Sequence, residues 1–299
     1  MSINLHNYIN CIAHHSSEGN LLIGEKYTAM FDCGMAFCAE DTINKAKDAL
    51  KGRTLDYIFM THTHYDHIGA LPFFKKEWPQ AQVVTSEIGA NILLKDTPRR
   101  VFREFGEVAC RDYGTKCDFS YSDDAYKADI IVKEGDIISL GDLSVEVIET
   151  PGHTRDSLSF FIPEIDLLIA SETLGVLLPD GNVYACYLTG FKDTINSIEK
   201  CQKLSYKNLS LPHVGLISKK NTENFFEKSK KATIACHDFV LDMLKKNLNE
   251  EEMIDLFIKR DYNETLSSVQ PKEAFITNAK ATIACTLRES YSTTSHQAE

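Results

Sequence analysis

The segment at residues 61–69 restricts the possible fold and function of this chain more than any other part of the sequence does. Its sequence, Thr-His-Thr-His-Tyr-Asp-His-Ile-Gly, places four imidazole or carboxylate side chains within six residues. Apolar, β-branched and aromatic residues at 55–60 precede it and predict a strand. The residues at 69–76 can begin a helix. The segment is therefore predicted to be a turn between a strand and a helix.

Within this turn, His62 and His64 are two residues apart and can point the same way from an extended backbone. Asp66 and His67 follow the bend and can converge from the other side. Imidazole nitrogens and carboxylate oxygens are the ligands that first-row divalent metals take. The alternative is a solvated loop that is rich in histidine by chance. Three of the chain's ten histidines lie here with an aspartate in register, which favours a metal site.

Composition restricts the class of protein. A chain of 299 residues can form one large domain or a domain with a smaller companion, and 43% apolar residues is ordinary for a globular protein. The formal net charge of -11 argues against nucleic acid as a partner, because binding phosphates needs clustered Lys and Arg. No signal-peptide pattern and no stretch of membrane-spanning length is visible, so we expect no membrane as a partner. The expected partner is a small-molecule substrate. Nine cysteines without a Cys-x-x-Cys pair predict reduced thiols in a cytoplasmic protein.

Three later predicted strands end in residues of the same chemical type. The strand at 143–148 is followed by Thr-Pro-Gly-His, which presents His153 on a turn. The strand at 166–170 is followed by Glu172, and one at 209–215 contains His213. Strands alternating with helices, with polar residues at strand ends, predict an α/β layered domain with its site along one edge of the sheets. His14 and His15 lie in an earlier loop and are not assigned as ligands.

The other parts of the chain are predicted to be mostly helical. Residues 86–128 form a charged insertion whose arginines could bind an anionic substrate, although a solvated helix face is the favoured interpretation. From residue 221 onward the strand pattern stops, and helices are predicted at 222–247, 250–260 and 271–288. The hexapeptide Lys-Ala-Thr-Ile-Ala-Cys occurs twice in this part of the chain, at 231–236 and 280–285. It indicates either a duplicated helix or two helices with the same packing requirement.

The order of these residues resembles the metallo-β-lactamase superfamily, in which a His-x-His-x-Asp-His motif is joined by a later His, an acidic residue and a last His. The resemblance covers residues 1–220 and implies a four-layer αββα sandwich with a dinuclear metal site, followed by a helical cap at 221–299. It implies two divalent metal ions, with zinc favoured and iron or manganese as alternatives. It assigns the ligands as follows: His62, His64 and His153 to one ion, Asp66, His67 and His213 to the other, and Glu172 between them. The family usually has Asp where this chain has Glu172.

This resemblance implies a metal-dependent hydrolase. Two close divalent ions lower the pKa of a shared water and generate hydroxide, and Asp66 would orient it for catalysis. A helical segment after the sandwich is similar in layout to two thioesterases of the superfamily, glyoxalase II and the quinolone-signal-response thioesterase. An ester or thioester is therefore the favoured substrate.

Other functions stay open. The same site could cleave a phosphodiester or a lactone. Diiron redox relatives form a different class, but they usually carry Glu in place of the second histidine of the motif and an added flavodoxin-like domain, whereas His64 stands here. A third class is a metal-binding protein with little turnover.

Overall fold

The computed structural model describes residues 5, 7–11, 19–268 and 270–295. His14 and His15 lie outside these residues. The strands are short and follow the chain in this order: β1 (Tyr8–Asn10), β2 (Asn20–Ile23), β3 (Thr28–Phe31), β4 (Tyr57–Phe59), β5 (Gln82–Ser86), β6 (Ile130–Val132), β7 (Ile137–Ser139), β8 (Ser144–Glu149), β9 (Leu158–Ile162), β10 (Leu167–Ile169), β11 (Val176–Leu177), β12 (Val183–Tyr184), β13 (Asn208–Leu211) and β14 (Gly215–Leu216).

The α-helices lie among these strands and then make up the C-terminal part of the described chain. They are α1 (Ala39–Leu50), α2 (Tyr65–Ile68), α3 (Leu71–Glu77), α4 (Glu87–Leu93), α5 (Asp96–Asp112), α6 (Phe191–Gln202), α7 (Lys219–Lys245), α8 (Glu250–Asp261), α9 (Glu264–Ser267) and α10 (Lys272–Ser295). Within the described ranges, no helix has the length and apolarity needed to cross a membrane.

The first sheet has the strand order β1-β2-β3-β4-β5-β6. Its first three strands are antiparallel, whereas β3, β4, β5 and β6 run parallel. In the register between β3 and β4, Phe31 lies opposite Phe59. The residues that directly follow these two strands are therefore brought to the same edge of the sheet.

The second sheet has the order β14-β13-β10-β9-β8-β7. All of its pairs are antiparallel except β10 with β13, which are parallel. Because β10 and β13 are parallel, the turns that follow them, at 170–172 and 212–214, begin at the same end of the second sheet.

Apolar side chains of both sheets form one core. Phe31 and Phe59 from the first sheet contact Phe160 from the second, and their ring centroids lie 5.3 and 5.2 Å from that of Phe160. The opposite face of the first sheet packs against α1 and α3 through residues such as Leu50 and Phe74. Sheets and helices with this packing form a compact unit of residues 1–149, 156–171 and 205–217.

A second compact unit comprises residues 150–155, 172–204 and 218–299. Its core contains fully buried Tyr187, Val240, Phe257 and Phe275 from the 185–190 loop, α7, α8 and α10. The β11–β12 hairpin also belongs to it. This unit therefore has a hydrophobic core of its own.

The predicted α/β sandwich with a helical C-terminal segment is confirmed, and most predicted elements end within a few residues of the observed ones. The predicted strand at 209–215 is wrong in detail, because it breaks into β13 and β14 around a turn. The β11–β12 hairpin and α9 were not predicted. The division into domains 1–220 and 221–299 stays a prediction.

Candidate metal centre

The histidine-rich segment is an extended stretch followed by one short helix. His64 precedes α2 with an extended backbone (φ -88°, ψ 152°), and Asp66 and His67 lie in the helix. The ring centroids of His62 and His64 are 4.6 Å apart, and those of His62 and His67 are 4.0 Å apart. His62 and His67 are fully buried, so the bend brings the imidazoles of the segment together in the interior.

A buried carboxylate that the sequence analysis missed holds this segment. Asp32 follows β3, and its Oδ2 lies 2.9 Å from His67 Nδ1. Its carboxylate also accepts hydrogen bonds from the Thr61 N–H (2.7 Å) and hydroxyl (2.6 Å). An imidazole whose Nδ1–H is held by a carboxylate presents Nε2 to a metal, and this is the usual outer support of a histidine ligand. Nothing in the local sequence marks Asp32 as a support, because it is the parallel pairing of β3 with β4 that places an acid directly after β3 beside the residues after β4.

A second buried carboxylate fixes the backbone between the two first histidines. Asp156 Oδ2 accepts a hydrogen bond from the Thr63 N–H (2.9 Å), and the Asp156 side chain is buried. The Leu158 N–H donates to the Thr61 carbonyl at 2.7 Å. The residues at 156–158 therefore run along the histidine-rich stretch and restrain its backbone.

His213 reaches the same cluster from the turn between β13 and β14. Its backbone is left-handed (φ 62°), which is uncommon for a residue with a side chain and is tolerated at functional sites. The ring centroids of His213 and His67 are 5.3 Å apart. Asp66 Oδ2 lies 3.9 Å from His67 Nε2 and 4.0 Å from His213 Nε2, so one carboxylate faces two imidazoles.

His153 and Glu172 form a close pair. His153 Nε2 lies 2.7 Å from Glu172 Oε2, and both side chains are buried. His153 Nδ1 lies 2.8 Å from the Cys186 carbonyl, which requires a proton on Nδ1. Burial by itself lowers the pKa of His153, but the adjacent Glu172 carboxylate and Cys186 raise it, and the resulting pKa lies well above its usual range.

The structure brings the seven predicted residues together. Their ligand atoms form two groups, in each of which all atoms lie within 4.8 Å of one another. The first group is His62, His64, His153 and Glu172, and the second is Asp66, His67, Glu172 and His213. Glu172 belongs to both groups. Three nitrogens with one oxygen, and two nitrogens with two oxygens, are donor sets that divalent transition metals accept.

The arginines of the predicted insertion have structural contacts. Arg99 donates to the carbonyls of Leu93 (2.6 Å) and Tyr126 (2.9 Å). Arg103 pairs with Asp123 at 2.6 Å, and Arg100 lies 3.5 Å from Glu104 on the surface of α5. These contacts fit the favoured interpretation of a structural or solvated face rather than an anion-binding site.

Comparison with known proteins agrees with this geometry. Residues 20–213 match the model of one family, the metallo-beta-lactamase superfamily. The chain belongs to this superfamily. An archaeal superfamily protein from Sulfolobus tokodaii has a similar structure, with 25% identity and a TM-score of 0.57 over 73% of this chain and 82% of that one.

Two relatives of the chain by sequence are named for different activities, one a reductase and the other a hydrolase. Nitric oxide reductase from Moorella thermoacetica is 28% identical over 68% of this chain, and hydroxyacylglutathione hydrolase from Rhodopseudomonas palustris is 31% identical over 42% of it. The matches span only 43% and 36% of those two proteins. Membership of the superfamily and the His/Asp/Glu cluster together indicate divalent metal binding.

Proposed function

We propose that this chain is a hydrolase with a dinuclear metal site that acts on an ester or thioester of a small molecule. One observation carries the proposal: two groups of four ligand-type residues share a single carboxylate, that of Glu172. A carboxylate within reach of both groups can bridge two neighbouring cations and offset part of their mutual repulsion, whereas isolated histidines with structural roles do not need one. His62, His64 and His153 would hold one ion and Asp66, His67 and His213 the other.

The donor chemistry fits such ions. Five imidazoles and two carboxylates favour zinc, and the group with two carboxylates also suits iron or manganese. Bound divalent ions would polarise the scissile carbonyl and make a water nucleophilic near neutral pH.

The residues of the chain would position the reactants. The side chain of Asp66 is 21% exposed, unlike that of His67 beside it, so its carboxylate can accept a hydrogen bond from an attacking water and orient it. Asp32 keeps the proton of His67 on Nδ1 and its ring in place. Asp66 is accordingly the proposed catalytic residue.

The preference for a thioester is supported by the leaving group and by one relative. A thiolate leaves without strong help from a general acid. A site that hydrolyses a thioester therefore does not need a separate acidic residue to protonate the leaving group. Hydroxyacylglutathione hydrolase, a relative by sequence, is named for an acyl derivative of a thiol. The nine cysteines, all present as reduced thiols, support a reducing, cytoplasmic location for the chain.

A redox function is the second candidate, because the chain is similar to nitric oxide reductase over 206 residues. Redox relatives of the superfamily usually have a glutamate where this chain has His64. An imidazole at this position favours zinc and hydrolysis, since zinc has no redox chemistry of its own. Metal identity therefore separates the two candidates.

The test is metal analysis of the purified chain with turnover assays on an acyl-thioester and on bis-nitrophenyl phosphate. We expect two zinc ions per chain and cleavage of the thioester. His64→Ala should lose one ion and lower kcat by at least about a hundredfold, because second-sphere changes alone cost about 10–100-fold. His237→Gln is the matched control, since His237 stacks on Phe191 and lies outside both ligand groups.

Three results would count against the proposal. Bound iron with oxygen or nitric oxide reduction would favour the redox function. If neither substrate is cleaved by the metal-loaded chain, and His64→Ala behaves like the wild type, the chain is a metal-binding protein with little turnover. Cleavage of the phosphodiester alone would keep the site but change the substrate class.

A further inference from the structure

We infer that the C-terminal helices α7 and α10 contain positioning residues for two of the proposed metal ligands: Ser229 for Glu172, and Thr282 for His153. This inference rests on the proposed function, because it assumes that Glu172 and His153 bind metal. It gives the helical C-terminal segment a role in assembling the metal centre.

The contact from α7 is direct. The Ser229 hydroxyl donates a hydrogen bond of 2.6 Å to the Leu174 carbonyl, and Ser229 is 1% exposed. Glu172 to Leu174 form a buried 3₁₀ turn, which the Gly175 N–H closes on the Glu172 carbonyl at 2.9 Å. A Cβ at Gly175 would come within 3.0 Å of the Ser229 hydroxyl, so the helix and the turn are in tight contact. Ser229 therefore fixes the turn that presents the Glu172 carboxylate.

The contact from α10 acts through the loop at 185–190. The Thr282 hydroxyl donates to the Tyr187 carbonyl at 3.1 Å, and the Tyr187 hydroxyl lies 2.8 Å from the Thr286 hydroxyl. Tyr187 is fully buried. The preceding carbonyl, that of Cys186, is the one that accepts the hydrogen bond from His153 Nδ1. The hydroxyls of Thr282 and Thr286 on α10 therefore hold Tyr187 in place. Tyr187 directly follows Cys186, whose carbonyl orients the ring of His153.

The same loop also fixes the backbone that carries His153. The N–H groups of Leu188 and Thr189 donate to the Gly152 carbonyl at 3.1 and 2.9 Å, and the Thr189 hydroxyl donates to it at 3.0 Å. Arg288 of α10 donates to the Thr189 carbonyl at 3.0 Å. Both the ring and the backbone of the His153 turn are therefore restrained by a loop that α10 holds.

These restraints bear on metal binding because a ligand that is already oriented loses less conformational entropy when the ion binds. The Cys186 carbonyl keeps the proton of His153 on Nδ1, which leaves Nε2 for the ion. Releasing the loop would let the carbonyl and the ring move apart.

The repeated hexapeptide supplies a matched control. Thr282 and Thr233 occupy the same position in the two Lys-Ala-Thr-Ile-Ala-Cys copies, and both are buried. The Thr233 hydroxyl donates to the Ser229 carbonyl of its own helix, at 2.9 Å, whereas Thr282 donates to the loop. Thr→Val at both sites removes the same hydroxyl from the same local sequence.

The experiment measures zinc affinity of the full chain by competition with a chelator, together with urea unfolding of the zinc-free protein. Ser229→Ala and Thr282→Val should each weaken binding of the ion held by His153 by about tenfold. This is the lower end of the range of about 10–100-fold that is typical when a residue supporting a metal ligand is changed. Thr282→Ser, which keeps the hydroxyl, and Thr233→Val should bind zinc as the wild type does. Urea unfolding shows whether any loss of affinity follows from general destabilisation.

Equal zinc affinity of Thr282→Val, Thr282→Ser and Thr233→Val would overturn the inference. So would a loss of affinity in Thr282→Val that is matched by Thr233→Val and by equal losses in unfolding free energy. Failure of the proposed function looks different: the wild type would bind no zinc, or would bind it without hydrolysis of the thioester.

Discussion

The side chain of Glu172 is where this chain departs from the pattern that the superfamily resemblance implies, in which the residue at this position is an aspartate. The longer side chain places Oε2 2.7 Å from His153 Nε2, from a buried 3₁₀ turn. Shortening the side chain by one methylene group would withdraw the carboxylate from one of the two ligand groups to which it belongs.

We therefore predict that Glu172→Asp does not behave like an aspartate-containing relative. It should keep one ion and weaken binding of the other by about tenfold or more, because metal–ligand distances tolerate only small changes. Metal content after gel filtration, read by atomic absorption, checks this. Glu172→Gln, which keeps the length and removes the charge, is the companion variant. Two ions bound at wild-type affinity in Glu172→Asp would show that Glu172 does not bridge.

At the scale of elements, the site was predictable wherever a ligand follows a strand in a recognisable motif. The turn after β4 and the Thr-Pro-Gly-His turn after β8 could be identified from local sequence alone. Asp32 could not be recognised as a support of His67 until the pairing of β3 with β4 was known, because that pairing joins residues 35 positions apart. Ser229 and Thr282 were beyond prediction for the same reason: their partners are 55 and 95 positions away.

The turn before His153 depends on a glycine. Gly152 has φ +144°, and a Cβ there would lie 2.1 Å from Thr194 Oγ1 and 2.8 Å from Thr194 Cα at the start of α6. Gly152→Ala should therefore destabilise the fold by about 2 kcal/mol or more, since backbone strain and overpacking each cost about 1–3 kcal/mol. Gly181→Ala is the control. Gly181 also has positive φ (+80°), but a Cβ there would meet no atom of the described residues within 4 Å.

Urea unfolding of the two glycine variants measures the difference. Gly181→Ala should show only the cost of the left-handed backbone, about 1–2 kcal/mol. If both variants lose the same stability, the approach of α6 to the His153 turn contributes nothing, and the close contact at Gly152 has relaxed.

For the molecule as a whole, burial of the thiols sets the behaviour at high pH. Burial is the largest effect on the pKa of three thiols, whose ordinary value is 9.0. It raises the pKa of Cys11 to about 12, and the pKa of Cys236 and of Cys285 to about 11. Below pH 9.0 these thiols are protonated in the folded and unfolded states alike, and they retain their full contribution to stability. Above it the unfolded chain releases protons that the folded chain keeps, so the free energy of unfolding falls as the pH rises towards 11–12.

Cys285→Ala isolates this effect. Cys285 is fully buried, so the variant should be less stable than the wild type at pH 8 because of the lost packing. Its stability should nevertheless fall less steeply between pH 8 and pH 10.5, because one thiol that resists ionisation in the folded state has been removed. Urea unfolding at both pH values, with a reductant present, gives the two slopes. Parallel curves for the variant and the wild type would mean that Cys285 ionises as easily in the folded chain as in the unfolded one, and that its burial does not restrain the thiol.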